Sequence, residues 1–177
     1  DIVVLLGDFV AKRDADPRVV KEGLSLFSRL KAPLGVHAVL GNHDWWYDGP
    51  MVDAALKAAG VNVMENGRRR IEREGGVFWV GGLADYDSKR TQPSYGVTLG
   101  QQADDDPAVP EADPVIVLSH WPDVFAVAPD RVALTLAGHS HCGQVNLPVV
   151  GRPVAVSDGS RRWPCGLYED RGRRLYV

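Results

Sequence analysis

Ile2-Val3-Val4-Leu5-Leu6-Gly7-Asp8 is the stretch that decides the fold. Consecutive apolar side chains of this length describe a short strand buried on both faces. A glycine and a carboxylate then end it abruptly. The same transition recurs downstream. Leu34 to Leu40 reads as a strand and runs into Gly41-Asn42-His43-Asp44. Val115 to Leu118 runs into Ser119-His120, and Val132 to Ala137 into Gly138-His139-Ser140-His141. Helical patterns separate the first strands, so the chain reads as α/β. In open α/β sheets ligands bind outside the carboxyl ends of the strands.

Between these strands the elements are short. Pro17 opens a helix, as proline in a first turn does. Val19, Val20, Leu24, Phe27 and Leu30 follow at spacings near three and four, which makes one apolar stripe. Met51 to Ala59 reads as a second helix closed by Gly60. Val61–Met64, Arg69–Arg73 and Val77–Val80 read as strands, the last two joined at Gly75-Gly76. Residues 81–113 are polar and proline-bearing, and read as long loops with one helix near Tyr95 to Gln102. The segment is a candidate lid or substrate loop. Pro122 to Val127 reads as a short helix. Gln144–Leu147, Val154–Val156, Leu167–Glu169 and Leu175–Val177 read as strands, the last two joined at Asp170-Arg171-Gly172.

Bulk properties narrow the class. The 177 residues fit one domain, 1–177, large enough to bury a core without staples. Net charge is 20 − 23 = −3, which argues against a nucleic-acid binder. Arg68-Arg69-Arg70 reads as a solvated strand edge. Cys142 and Cys165 make no disulfide framework and read as free thiols. No apolar run approaches the ~20 residues of a membrane span. The chain enters a strand at once and stops within another, so both ends look cut inside a fold, and an upstream targeting segment or anchor is compatible with that.

The strand ends carry the chemistry. Asp8, Asn42-His43-Asp44, His120, His139 and His141 gather metal-ligand residue types at one sheet edge. His37, inside an apolar strand, reads as a core or edge residue rather than a ligand. A carboxylate can bridge two divalent cations, an imidazole binds one, and an asparagine carbonyl adds an oxygen without charge. Two cations roughly 3.5–4 Å apart can share a hydroxide and stabilise both attacking and leaving oxygens. If His139-Ser140-His141 is strand-like, both imidazoles face the same way. Gly7, Gly41 and Gly138 leave room for close backbone approach. Trp45-Trp46-Tyr47 reads either as core packing or as a contact for an acyl chain or ring. Asp85-Tyr86-Asp87 reads as a plain loop or as pocket lining.

These residues resemble the calcineurin-like metallophosphoesterase superfamily. Gly7-Asp8, Gly41 to Asp44, His120 and Gly138 to His141 match the last four of its five motif blocks. The stretches VVLLGDFV (3–10), AVLGNHDWW (38–46), LSHWPDVF (118–125) and LTLAGHSHCGQV (134–145) look closest to the bacterial YkuE/YaeI-like branch. The resemblance implies a two-sheet αββα sandwich, truncated here at both ends. It implies that Asp8 bridges two metals, that Asn42, His120 and His139 complete one site, and that His141 serves the other. His43 would stabilise the transition state or protonate the leaving oxygen, and Asp44 would orient His43. The family's first block, an Asp-x-His, has no counterpart before Asp8, so one metal site is only partly present.

The implied cofactors are two divalent ions, Mn, Fe or Zn. The implied reaction is hydrolysis of a phosphate ester or phosphoanhydride by a two-metal-activated hydroxide. The substrate would be a small-molecule or lipid-linked phosphate, such as a cell-envelope lipid or the UDP-diacylglucosamine handled within that branch. The location would be the bacterial cytoplasm or the periphery of the inner membrane. Cys142, where the branch often has glycine, would be a passive residue or a thiol for an adventitious soft metal. The alternative is a catalytically inactive scaffold or interaction domain that keeps the fold.

Overall fold

The structure, a computed structural model, describes residues 1–103, 106–143 and 155–177. Two sheets stack between layers of helix. The first sheet is parallel, in order β1 (Val3–Leu6), β2 (Val36–Val39) and β3 (Asn62–Val63). The second holds β4 (Gly67–Arg73), β5 (Gly76–Gly82), β6 (Val115–Ser119), β7 (Val132–Ala137), β9 (Arg173–Tyr176) and β8 (Leu167–Asp170), in that spatial order. β5, β6, β7 and β9 run parallel, and the hairpins β4–β5 and β8–β9 close the edges antiparallel.

Alternation along the strands assigns the layers. Val39, Val80 and Leu118 pack between the sheets with Val4, Leu6, Ile116 and Leu136. The alternate residues Val36 and Ala38 meet Trp45, Val52 and Leu56 on the outer face of the first sheet. On the outer face of the second, Val115, Val117 and Val132 meet Leu83, Leu99 and Val124. The observed architecture is therefore the expected two-sheet α/β sandwich.

Local chemistry explains the helices. In α1 (Pro17–Ser25), Asp16 caps the start by accepting the Arg18 amide at 2.8 Å, and Pro17 supplies its preset φ. Leu24 is buried and Val20 and Phe27 pack beside it, but Val19 is 67% exposed, so the apolar stripe is only partly covered. α2 (Asn42–Ala58) begins nine residues before the expected Met51. The Asp44 carboxylate, at the third helical position, accepts the Gly41 amide and so starts a helix within GNHD. Asp48 leaves helical geometry just before Pro50 and kinks the element, and its carboxylate caps the second half through the Met51 amide. Gly60 ends it at φ +85°.

The segment 81–113 is held down where it is described. α3 (Tyr95–Leu99) is shorter than expected, and Leu99 and Val109 are buried. Arg68 corrects the solvated-edge reading of its triplet. It is 5% exposed and donates to the carbonyls of Thr98, Gly100 and Pro107 and to the Asp106 carboxylate. Pro122–Val127 is a 3-10 turn. A helix that the sequence did not suggest, α4 (Asp158–Arg162), is capped by Ser157 and tied to Asp123. The expected strand Gln144–Leu147 and residue Val154 lie outside the described residues, and Val156 is not in a strand. Among the described residues, no helix is long and apolar enough to cross a membrane.

Candidate metal centre

Three strand-end loops meet with no space to spare. Gly7 lies at φ +90°, and a Cβ on it would sit 2.5 Å from the Gly41 amide nitrogen and 2.7 Å from His120 Nδ1. A Cβ on Gly41 would sit 2.3 Å from Asp8 Oδ1. Only glycine permits this approach, which seats Asp8 between the GNHD turn and His120. Asp8 itself has φ 58°, a left-handed conformation unusual for a side-chain-bearing residue and common at functional sites.

The side chains then converge. His120 Nδ1 lies 2.6 Å from the Leu6 carbonyl, which requires it to carry a proton and donate. In the neutral ring, Nε2 is then a bare lone pair. Around Nε2 stand Asn42 Oδ1 at 3.0 Å, Asp8 Oδ2 at 3.3 Å and His139 Nδ1 at 3.1 Å. Donor atoms of Asp8, His120 and His139 all lie within 4.8 Å of one another. Ligand atoms gathered this closely can hold a metal ion among them.

The proton affinities report the same demand. Burial lowers the affinity of His120, but the hydrogen bond and charge of Asp8 outweigh it and leave the imidazole above its ordinary value. Burial works to raise Asp8, yet His120 and the His43 amide, 3.1 Å from its other oxygen, hold it below the usual carboxylate range. Burial, then the charge of His120, push His139 down to about 4, so it is neutral and its lone pair is free at neutral pH. His139 Nε2 is also buried without a hydrogen-bond partner. A divalent cation would suit Asp8, Asn42, His120 and His139 together, and its binding would displace any proton on His120.

His141 is not in this group. It is exposed, although it lines the same open cleft of ≈ 430 Å³ as Asp8, His120 and His139. The strand-like reading of His139-Ser140-His141 is corrected here. β7 ends at Ala137, and His139, His141 and Cys142 have φ of 62°, 50° and 56°, so the segment is a left-handed turn. His43 is half-buried, with Nδ1 3.0 Å from the Ala11 carbonyl and its ring 4.6 Å from Trp46.

A family model described as calcineurin-like phosphoesterase matches residues 1–143. The chain belongs to the calcineurin-like phosphoesterase family. It is 28% identical over 180 residues to the uncharacterized metallophosphoesterase YkuE of Bacillus subtilis (strain 168), covering 100% of this chain and 59% of that protein. It is 29% identical over 186 residues to phosphodiesterase YaeI of Escherichia coli (strain K12), covering 100% of this chain and 62% of that one. A third relative, the uncharacterized metallophosphoesterase YkoQ of Bacillus subtilis (strain 168), is 29% identical over 152 residues, covering 84% and 52%. The chain thus spans less than two thirds of the length of these relatives.

Two expectations about this calcineurin-like site change. Asp44, expected to orient His43, is fully buried, and its carboxylate accepts the amides of Asp8, Gly41 and Val10 at 2.9, 2.9 and 3.0 Å. It fastens the Asp8 loop to the GNHD turn, while a backbone carbonyl holds His43. Burial pushes Asp44 up to about 6 against the pull of the Gly41 and Val10 amides. Second, Cys142 and Cys165 are not free thiols but a disulfide, Cα–Cα 4.5 Å. The left-handed turn carries Cys142 back toward residues 164–165, where Ser140 Oγ also donates to the Pro164 carbonyl at 2.7 Å. A soft-metal thiol is thereby excluded.

Trp121 is the neighbour that sequence reasoning passed over. It stacks on His139 at 3.6 Å between ring centroids, and its indole N–H donates to Asp85 at 2.8 Å. Its position directly after His120 was the one available signal.

Proposed function

We propose that this protein is a metal-dependent phosphoesterase that cleaves a phosphate ester or phosphoanhydride. The observation that carries the reading is the cluster of oxygen and nitrogen ligand atoms around His120 Nε2, contributed by Asp8, Asn42 and His139. Divalent cations, Mn, Fe or Zn, would supply Lewis-acid charge and an activated water there. Asp8, Asn42, His120 and His139 would hold one of them. Asp8 has a second oxygen and His141 stands at the same cleft, so these two would serve the other.

The remaining residues prepare the phosphoryl group. His43, with Nδ1 committed to the Ala11 carbonyl, keeps Nε2 as the atom that binds a phosphoryl oxygen or protonates the departing one. Asp44 keeps the Asp8 loop and the GNHD turn in register through the amides it accepts.

For the substrate we propose a small-molecule or lipid-linked phosphodiester or anhydride. Two facts favour this class. One relative bears the name phosphodiesterase. An apolar groove of ≈ 400 Å³, lined by Phe9, Val10, Val19, Val20, Leu24 and Phe27, begins one residue after Asp8. The test is Mn²⁺-dependent hydrolysis of bis-p-nitrophenyl phosphate, p-nitrophenyl phosphate and UDP-diacylglucosamine. Metal-dependent turnover that His43→Ala and His120→Ala both abolish is expected. A folded, Mn²⁺-loaded protein that turns over none of them, or turns them over equally well as His43→Ala, overturns the proposal.

A further inference from the structure

One loop holds two tryptophans, and each tryptophan lies against a different imidazole of the site. Trp121 stacks on His139 with rings 29° apart, and its Nε1–H donates to Asp85 Oδ2 at 2.8 Å. Trp46 lies 4.6 Å from the ring of His43, 39° from parallel, and its Nε1–H donates to Asp87 Oδ2 at 2.8 Å. The two residues are tied to each other, because Asp85 Oδ1 accepts the Asp87 backbone amide at 2.7 Å. Each indole has a further contact. Tyr86 meets Trp121 edge-on at 5.6 Å, and the Arg13 guanidinium lies 4.5 Å over Trp46. Asp85 is 2% exposed, so its carboxylate is held rather than solvated.

This duplication is more than core packing requires. Trp46 is 39% exposed and Tyr86 40%. Burial of apolar area therefore does not account for where they sit. An imidazole turns about two bonds, and a ligand or proton donor is useful only in a narrow range of ring orientations. A stacked indole restricts that rotation, and a hydrogen bond from the indole N–H to a fixed carboxylate restricts the indole in turn.

We propose that Asp85-Tyr86-Asp87 is a positioning loop with two arms. The Asp85–Trp121 arm sets the plane of His139 and so the affinity for the cation. The Asp87–Trp46 arm sets the plane of His43 and so the protonation of the leaving group. The inference rests on the phosphoesterase reading and adds that the two arms can be broken separately.

The experiment compares Trp121→Leu and Trp46→Leu with the wild type. Mn²⁺ affinity is measured by calorimetry, and kcat and KM on bis-p-nitrophenyl phosphate and on methyl p-nitrophenyl and methyl phenyl phosphodiesters. Trp121→Leu is expected to weaken Mn²⁺ binding about 10-fold or more, in the range seen when supports of metal ligands are lost. Trp46→Leu is expected to keep Mn²⁺ affinity within about 2-fold and to lower kcat with KM little changed. Its loss should be larger for the phenyl than for the p-nitrophenyl leaving group, since only the poorer one needs the proton. Trp121→Phe and Trp46→Phe, which keep a ring but lose the tie to the loop, should show the same separation at smaller size. They serve as the test if the leucine variants fail to fold. Equal loss of Mn²⁺ affinity in both arms, or none in either, overturns the two-arm proposal while leaving the phosphoesterase reading intact. A wild type that binds no Mn²⁺ and hydrolyses none of the esters overturns both.

Discussion

Replacing Asp44 tests whether this carboxylate fastens the site or tunes His43. Its oxygens accept the amides of Asp8, Gly41 and Val10, and the side chain is fully buried. A hydrogen bond to a charged group contributes about 1.5–3 kcal/mol, and an orphaned buried amide costs about 1–3 kcal/mol. Because the amides share one acceptor, their losses do not add fully, and Asp44→Ala should cost about 3–5 kcal/mol. Asp44→Asn keeps an oxygen for one set of amides but turns an NH₂ toward the other, a cost of about 1–2 kcal/mol. For a chain of this size about 1 kcal/mol moves Tm by about 2–4 °C. The asparagine variant should then melt about 2–8 °C lower and the alanine variant about 6–20 °C lower. The assay is thermal unfolding of metal-free protein followed by circular dichroism at pH 8, above the value of about 6 to which burial raises Asp44. An Asp44→Ala protein melting within about 2 °C of the wild type, with only kcat reduced, would refute the fastening role and restore a direct partnership with His43.

Three other outcomes follow from the geometry. Gly41→Ala places a Cβ 2.3 Å from Asp8 Oδ1 and 2.7 Å from His120 Cε1, so Mn²⁺ affinity by calorimetry should fall about 10-fold or more; unchanged affinity contradicts the close-approach argument. The Cys142–Cys165 disulfide closes a loop of sequence separation 23, which stabilises the fold by about 3 kcal/mol. Reduction, or Cys165→Ser, should lower Tm by about 6–12 °C, and a shift under about 2 °C counts against it. Burial raises Asp85 to about 6, although the Asp87 amide and other partners pull it down. The folded state then binds this proton more tightly than the unfolded chain, whose aspartates titrate near about 3.9, so the wild type gains stability as pH falls below about 6. Asp85→Asn lacks that gain. Urea unfolding of metal-free proteins should show the wild type improving relative to the variant by about 2 kcal/mol from pH 7.5 to 4.5, and a flat or reversed difference sinks the assignment.

The strand ends were legible because two signals coincide at each of them. Apolar runs locate parallel strands, and the residues that stop the runs at 8, 42, 120 and 139 are polar types with little reason to cluster otherwise. The structure accordingly brings Asp8, Asn42, His120 and His139 together. What sequence reasoning missed depends on conformation rather than period. Left-handed φ at His139, His141 and Cys142 turns an apparent strand into a bend and carries Cys142 to Cys165. Asp44 was assigned to its sequence neighbour, whereas its partners at positions 8 and 10 lie more than thirty residues away. Arg68 reads as solvated within a basic triplet, but the segment from Thr98 to Pro107 covers it and its carbonyls satisfy the guanidinium. None of these pairings has a local period that a sequence could display.

Asp8, Asn42, His120 and His139 are proposed to form one cation site. X-ray absorption on the protein loaded with one equivalent of Zn²⁺ tests it most directly. The expected shell holds nitrogen and oxygen only, with imidazole scattering from two histidines at about 2.0–2.1 Å and no sulfur. One imidazole should be lost in His139→Ala, and the spectrum should be unchanged in His37→Ala, whose ring is buried against the Leu34 carbonyl instead. A sulfur shell, or imidazole scattering indifferent to both His120→Ala and His139→Ala, would contradict it.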